Sequence, residues 1–117
     1  MEKTVYFLST CDTCKRIMKE VGVNDEFKVI DLKENRLSED EIAFFVSKVD
    51  SISDLINKRS VIYKEQGLKN KQLSDDEIES LLIQHYTLIK RPIFILGEDT
   101  FIGNSREVIE KVKSRLL

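Results

Sequence analysis

The sequence predicts an α/β fold in the order βαβ, a helical insertion, then ββα. Short apolar runs rich in β-branched and aromatic residues predict the strands, and apolar residues at helical spacing predict the helices. Ser-x-x-Glu capping patterns at residues 38–41 and 74–77 mark two helix starts between the halves. With 117 residues, 41% of them hydrophobic, the chain suffices for one domain, with its core at residues 1–36 and 88–117 and the insertion at residues 37–87.

The first half of the core is predicted to be a strand, a helix and a second, parallel strand. Residues 4–8 are typical of a buried strand, and residues 27–32 alternate apolar with polar over most of their length. Between them, apolar residues at positions 14, 17, 18 and 21 line one face of a helix that Gly22 ends. The helix therefore starts at the carboxyl end of the first strand, where open α/β sheets place their sites.

The insertion is predicted to contain two capped helices separated by a polar and irregular segment. A short helix around residues 53–57 is followed by a loop at residues 58–60 and a turn at Gly67. His85 lies on the apolar stripe of the second capped helix. This position favours a partly buried, hydrogen-bonded histidine over a catalytic base.

The second half of the core is predicted to be a hairpin followed by a helix. Residues 91–97 form a β-type run headed by the only proline, and residues 100–103 form its partner strand. Glu98 and Asp99 are predicted to make the turn, and Asn104 is predicted to cap the last helix.

Both cysteines, Cys11 and Cys14, lie at the predicted start of the first helix. The positive end of a helix lowers the pKa of a thiol, so Cys11 is a candidate nucleophile at neutral pH. Cys14 faces inward one turn later and is placed to attack a mixed disulfide formed at Cys11. A zinc site would need further ligands, and the chain has no second Cys-x-x-Cys and only one histidine, so no metal is expected.

Charge and hydropathy restrict the location and the partners. Nineteen basic and 21 acidic residues give a net charge of −2, so no overall basic field draws the chain to nucleic acid. No apolar run approaches the roughly 18 residues of a membrane span, and no signal peptide is recognisable. A cytoplasmic protein is therefore expected, and a Cys-x-x-Cys pair in that compartment is typical of redox catalysis or sensing.

The cysteine pair, the order of elements and the proline before the third strand together resemble a thioredoxin-like fold. Four motifs narrow the resemblance to the arsenate reductase (ArsC) family, including its Spx-like branch of transcription regulators. The matching stretches are residues 11–15 (CDTCK), 55–60 (LINKRS), 63–68 (YKEQGL) and 88–93 (LIKRPI).

The resemblance implies a set of site residues. Cys11 would be the nucleophile in a loop that binds an oxyanion through backbone amides, Cys14 would resolve the intermediate, and Arg91 would hold the anion or stabilise the thiolate. Arg91 precedes a proline that the family places in the cis form. The remaining substrate-binding residues implied are Asp12, Thr13, Lys15, Arg59, Pro92 and Asn104. No bound cofactor is implied; glutathione with glutaredoxin, or thioredoxin, would be the external reductant.

Two functions follow from the resemblance. The leading hypothesis is an enzyme, a thiol–disulfide oxidoreductase with a small oxyanion or disulfide substrate and a redox partner protein. Glutaredoxin-coupled arsenate reductases use two further arginines, and the aligned positions here carry Asn57 and Asn104, with Arg59 and Arg106 two residues further on. The alternative is a Spx-like sensor whose cysteines form a disulfide switch and whose partner is the RNA polymerase α subunit.

Overall fold

The computed structural model describes residues 1–117, which form two compact units. The first consists of Met1–Asn35 and Arg91–Leu117, and the second of Arg36–Lys90. The predicted insertion at residues 37–87 falls within the second unit. No helix in the chain combines the length and the apolar character needed to cross a membrane.

The first unit is a four-stranded sheet with two helices. The strands are β1 (Lys3–Phe7), β2 (Phe27–Asp31), β3 (Ile93–Leu96) and β4 (Asp99–Ile102), and the helices are α1 (Asp12–Val21) and α5 (Arg106–Leu116). The sheet order is β2-β1-β3-β4. β1 and β2 are parallel, while β3 is antiparallel to both β1 and β4, so the predicted βαβ and ββα halves are confirmed.

The core of the first unit lies between the sheet and its helices. Alternate residues of the strands point to this side, including Val5, Phe94 and Leu96, and they form one buried cluster with Ile17 of α1 and Val112 of α5. The apolar stripe of α1 follows the helical period, and the helix ends at Gly22, whose φ of 84° suits glycine. This packing orients α1 so that its first turn follows the carboxyl end of β1.

The second unit is helical. Its α-helices are α2 (Glu39–Val46), α3 (Val61–Glu65) and α4 (Asp75–Gln84), with short 3₁₀ segments at Ile52–Leu55, Leu68–Asn70 and Tyr86–Leu88. Both predicted capping boxes are present, with Ser38 and Glu41 bonded reciprocally at 3.1 Å and Ser74 and Glu77 at 3.1 and 3.2 Å. An isolated antiparallel β-bridge between Ile56 and Ile89 connects the middle of this unit to its end.

Two predictions in the insertion are wrong. The segment expected to be irregular contains α3, which starts at a buried Ser60 whose hydroxyl accepts a hydrogen bond from the Tyr63 N–H at 3.1 Å. Glu is missing at the third helical position, so the capping pattern that revealed α2 and α4 is incomplete here. His85 is not within α4 but ends it, in an extended conformation, because the chain turns there into a 3₁₀ segment.

Two predictions in the second half of the core are also wrong. The cap of α5 is Ser105, whose hydroxyl accepts from the Val108 N–H at 3.2 Å, and Asn104 is the residue before that cap. The hairpin turn is formed by Gly97 and Glu98, since Gly97 adopts a φ of 62° that favours glycine. Asp99 already belongs to β4, where it is paired with Leu96.

Candidate active site

A tight turn presents Cys11 directly after β1. The Cys11 N–H donates to the Leu8 carbonyl at 2.9 Å, so Ser9 and Thr10 form the corner of the turn. Cys11 is the N-cap of α1, and its Sγ accepts a hydrogen bond from the Cys14 N–H at 3.4 Å. The sulfur therefore lies at the positive end of the helix, as the sequence predicted.

The two thiols differ in exposure. Cys11 is partly exposed, whereas Cys14 is fully buried on the inner face of α1. Both are free thiols, and their side chains are hydrogen-bonded to each other. The predicted arrangement, with Cys11 at the accessible tip and Cys14 behind it, is the one observed.

The electrostatics of the site separate the two thiols further. Partial burial opposes ionisation of Cys11, but hydrogen bonds from the Cys14 N–H, the Cys14 thiol and the Arg91 side chain outweigh it and lower the pKa of Cys11. Burial, together with the hydrogen bond to Cys11 and the charge there, raises the pKa of Cys14 to about 12. Cys11 therefore ionises before Cys14, and the accessible sulfur is the one that carries the negative charge.

Arg91 reaches Cys11 from the neighbouring strand. Arg91 lies two residues before β3, which runs antiparallel to β1, so it lies at the end of the sheet where β1 ends. The Arg91–Pro92 peptide bond is cis, as the resemblance implied. The guanidinium hydrogen-bonds the Cys11 sulfur and adds an opposite charge. The site thus combines a helix N-terminus with one fixed cation.

Comparison with known proteins identifies the family. A model of the ArsC family matches residues 6–112. The chain belongs to the ArsC family. An arsenate reductase from Acidiphilium multivorum is 29% identical to it over 108 residues, which cover 91% of this chain and 77% of that protein. Membership of the ArsC family, with arsenate reductases among its relatives, supports a thiol-based redox function.

Solved structures confirm the predicted thioredoxin-like fold. An ArsC family related protein from Bacteroides fragilis superposes with a TM-score of 0.81 at 22% identity, covering 96% of this chain and 98% of that one. An arsenate reductase from Vibrio cholerae superposes with a TM-score of 0.75 at 22% identity, covering 97% of each chain. At this level of identity the likeness establishes the fold.

The other residues predicted for an ArsC site are distributed unevenly. Asp12 and Lys15 are exposed in the first turn and a half of α1, and Thr13 between them is partly buried. Asn104 is exposed in the same unit, directly after Gly103, whose N–H donates to the Pro92 carbonyl at 3.0 Å. The first unit therefore contains every predicted site residue except one.

That remaining residue, Arg59, belongs to the second unit. Its side chain is exposed, and its N–H donates to the Asn57 side-chain oxygen at 3.1 Å. The Asn57 carbonyl also accepts from the Ser60 N–H at 3.1 Å. Asn57 therefore shapes the turn that leads into α3.

Arg106, the arginine two residues after Asn104, forms ion pairs away from Cys11. Its guanidinium pairs with Glu20 of α1 and with Glu110, and Lys113 reaches the same Glu20 carboxylate at 3.3 Å. Glu20 lies at the end of α1 opposite to Cys11. Arg106 thus joins the two helices and is not directed at the thiol.

Sequence analysis missed Asp31, the last residue of β2. Its carboxylate accepts hydrogen bonds from the Ser9 N–H at 3.2 Å and the Lys33 N–H at 3.1 Å. The available signal was a carboxylate at the carboxyl end of a strand parallel to β1, where site residues collect. No group of three or more His, Cys, Asp and Glu side chains is arranged to hold a metal ion.

Proposed function

We propose that this chain is a thiol–disulfide oxidoreductase in which Cys11 is the nucleophile and Cys14 the resolving cysteine. The observation that carries the proposal is the position of the Cys11 sulfur, bonded by the Cys14 N–H at 3.4 Å and by the Arg91 side chain. Both interactions favour the thiolate, and the thiolate is the reactive form of cysteine.

In the first step the Cys11 thiolate attacks an oxidised substrate. With a disulfide, a new S–S bond forms at Cys11 and the other half leaves as a thiolate. With arsenate, which the names of the relatives suggest, a sulfur–arsenic bond forms and an oxygen leaves as water after protonation. Arg91 would hold the negative charge of arsenate or, with a disulfide substrate, that of the leaving thiolate.

In the second step Cys14 attacks the Cys11 sulfur. Two of the causes that raise the pKa of Cys14 are the hydrogen bond and the charge of Cys11, and both end once Cys11 is covalently bound. Arg91, which lowers the pKa of Cys14, remains. The new Cys11–Cys14 bond oxidises both sulfurs, and the displaced electron pair leaves with a thiolate product or reduces arsenic(V) to arsenic(III).

The cycle then needs two electrons from outside. A dithiol such as thioredoxin, or two molecules of glutathione with glutaredoxin, would reduce the Cys11–Cys14 disulfide and be oxidised to a disulfide in turn. Cys11 is the sulfur such a partner would meet, because it is partly exposed and Cys14 is fully buried. A redox partner protein is therefore part of the proposal.

The substrate is tested by comparing reductants and oxidants on the whole chain. NADPH oxidation is followed with arsenate, with glutathione disulfide and with a small mixed disulfide, each coupled to glutathione plus glutaredoxin or to thioredoxin. Turnover with any pair that is lost in Cys11→Ser supports the proposal. The absence of turnover with all of these pairs contradicts it.

Arsenate is the more demanding substrate. Glutaredoxin-coupled arsenate reductases use two further arginines for this anion, whereas the corresponding positions carry Asn57 and Asn104. Arg59→Gln tests whether the arginine two residues after Asn57 in the sequence contributes to arsenate binding. If Arg59 binds the anion, KM for arsenate rises several-fold while the pKa of Cys11 stays constant; an unchanged KM removes Arg59 from the site.

A redox-sensing regulator is the second candidate. The observation that favours it is the pair of adjacent free thiols, Cys11 and Cys14, which an oxidant such as diamide can convert to a disulfide by accepting their two electrons and two protons. A binding assay of the reduced and the diamide-oxidised chain against the RNA polymerase α subunit separates the two candidates. Oxidation-dependent binding with no turnover favours the regulator, and turnover with no binding favours the enzyme.

A further inference from the structure

Asp31 ends β2 beside the turn that carries Cys11. In the parallel register of the sheet it lies opposite Phe7, the last residue of β1. The Leu32 N–H donates to the Phe7 carbonyl at 2.8 Å, so the two strands remain bonded up to their last residues. The partly buried carboxylate of Asp31 is thereby held at the point where the chain leaves β1 toward Cys11.

The Asp31 carboxylate joins two loops. One oxygen accepts from the Ser9 N–H at 3.2 Å and from the Lys33 N–H at 3.1 Å, and the Ser9 hydroxyl is a further hydrogen-bond partner. The Asp31 carbonyl accepts from the Asn35 N–H at 2.9 Å, so the residue itself is fixed by its own loop. The Ser9 end of this bridge is two residues from the nucleophile.

The hydrogen bonding of the turn explains why such a bridge matters. The turn is closed by the Cys11 N–H on the Leu8 carbonyl, which leaves the Ser9 N–H at its corner without a partner inside the turn. Asp31 supplies that partner. The direction in which Cys11 leaves the turn therefore depends on contacts at both of its ends.

We propose that Asp31 is a positioning residue for Cys11, holding the Ser9–Thr10 corner so that the Cys11 sulfur meets both the Cys14 N–H and Arg91. The inference rests on the proposed role of Cys11 as the nucleophile. Asp31 acts through the turn and does not touch the substrate. A sulfur displaced from this position loses the interactions that favour its thiolate.

Charge and position act on Cys11 with opposite signs, which makes the proposal testable. A carboxylate near a thiol disfavours the thiolate by repulsion, so removing only its charge lowers the pKa of Cys11. Removing the hydrogen bonds between Asp31 and Ser9 displaces the Cys11 sulfur and raises the pKa of Cys11. Asp31 itself remains ionised at neutral pH, since its hydrogen bonds from Ser9 and Lys33 outweigh its partial burial and lower its pKa.

Three substitutions separate the two effects. Asp31→Asn keeps an oxygen acceptor and removes the charge, Asp31→Glu keeps the charge and displaces the carboxylate by one methylene, and Asp31→Ala removes both. Asp25→Ala is the matched control, because Asp25 is an exposed carboxylate just before the other end of β2. The readout is the rate of iodoacetamide alkylation against pH, which reports Cys11 because Cys14 is buried and ionises near pH 12.

Positioning predicts that Asp31→Glu and Asp31→Ala raise the pKa of Cys11 by about one unit, a roughly tenfold loss of alkylation rate below that pKa. Asp31→Asn leaves the pKa unchanged or lower, and Asp25→Ala leaves it unchanged. An unchanged pKa in Asp31→Glu overturns the proposal, because displacing the carboxylate then leaves the Cys11 sulfur in place. If Asp31→Ala fails to fold, the Asn and Glu variants decide the question.

The assay also separates this inference from the proposed function. Alkylation needs no substrate, glutaredoxin or thioredoxin. A raised pKa in Asp31→Glu with no turnover by the native chain would support the positioning role and contradict the oxidoreductase. If the native chain turns over substrate and Asp31→Glu changes neither the turnover nor the pKa of Cys11, the oxidoreductase is supported and the positioning role is contradicted.

Discussion

Two helix starts in this chain have the same geometry and serve different ends. At α4, Ser74 accepts from the N–H of Glu77 three residues later, and at α1, Cys11 accepts from the N–H of Cys14 at the same spacing. Both caps have an extended backbone. The difference lies in the return bond, since Glu77 bonds back to the Ser74 N–H while the Cys11 N–H goes to the Leu8 carbonyl.

The difference shows how a structural motif becomes a reactive site. A serine oxygen accepts a hydrogen bond without ionising, so the α4 cap stabilises the helix. Sulfur is a weak acceptor as a thiol and a strong one as a thiolate, so the α1 cap stabilises a charge. The first turn of α4 carries three acidic residues and that of α1 only Asp12, which leaves the positive end of α1 to the sulfur.

The largest effect is expected when the sulfur cap of α1 is replaced by an oxygen cap like that of α4. Cys11→Ser places a preferred capping residue at α1, so the free energy of unfolding should change by less than about 1 kcal/mol. Alkylation at pH 7 and any turnover should be lost, because a serine hydroxyl does not ionise in this range. Urea unfolding and iodoacetamide labelling of the reduced chain measure the two quantities.

Cys14→Ser is the matched control for that variant. It keeps the cap and the reactive sulfur, so labelling at position 11 persists while the intramolecular disulfide cannot form. Residual turnover in Cys11→Ser would show that another group is the nucleophile. A large loss of stability would show that the sulfur cap has a structural role that oxygen cannot fill.

The next effect concerns Arg91, the cation that bonds to the sulfur cap of α1. Arg91→Gln removes the positive charge and the guanidinium N–H donors at the Cys11 sulfur, so the pKa of Cys11 should rise by about one unit. The alkylation rate below that pKa should then fall roughly tenfold. Arg16→Gln, which removes an exposed cation from α1, is the control and should leave the pKa unchanged. Equal pKa shifts in Arg91→Gln and Arg16→Gln would show that the net charge of the chain, and not the contact with Arg91, sets the pKa of Cys11.

The outline of the fold could be predicted from local patterns. The strands of the core, α1 and the two Ser-x-x-Glu helices each carry their signal within a few residues, and all were found. α3 was missed because its cap, Ser60, has no Glu partner and because it is only one turn long. His85 was placed on α4 because apolar periodicity does not show where a chain turns into a 3₁₀ segment.

The site could be predicted in part for the same reason. Cys11 and Cys14 lie together in sequence, and a resemblance to the family pointed to Arg91. Asp31 was missed because its contact with Ser9 spans 22 residues and depends on the register of two parallel strands. The ion pair of Arg106 with Glu20 was not predicted, because it depends on the packing of α5 on α1.

A smaller effect is expected at the structural cap. Ser74→Ala removes the acceptor for the Glu77 N–H, so the chain should lose roughly 1 kcal/mol of stability and about 4 °C in Tm. The pKa of Cys11 should be unchanged. Ser38→Ala at α2 is the parallel variant, because its capping box is the same. A Cys11 pKa that moves with either serine would mean that the caps are coupled.

The smallest effect is a pH dependence that distinguishes the two caps. The pKa of Cys11 is lowered from 9.0 in the folded chain, so the unfolded chain binds more protons between the two values. The reduced wild-type protein should therefore gain stability relative to Cys11→Ser as pH rises toward 9.0. The α4 cap responds in the acid range instead, since hydrogen bonds from Ser74 lower the pKa of Glu77 from 4.5 and their contribution is lost as pH falls through the folded value. Urea titrations across both ranges test this, and a stability difference between wild type and Cys11→Ser that is flat up to pH 9 would contradict a thiolate at α1.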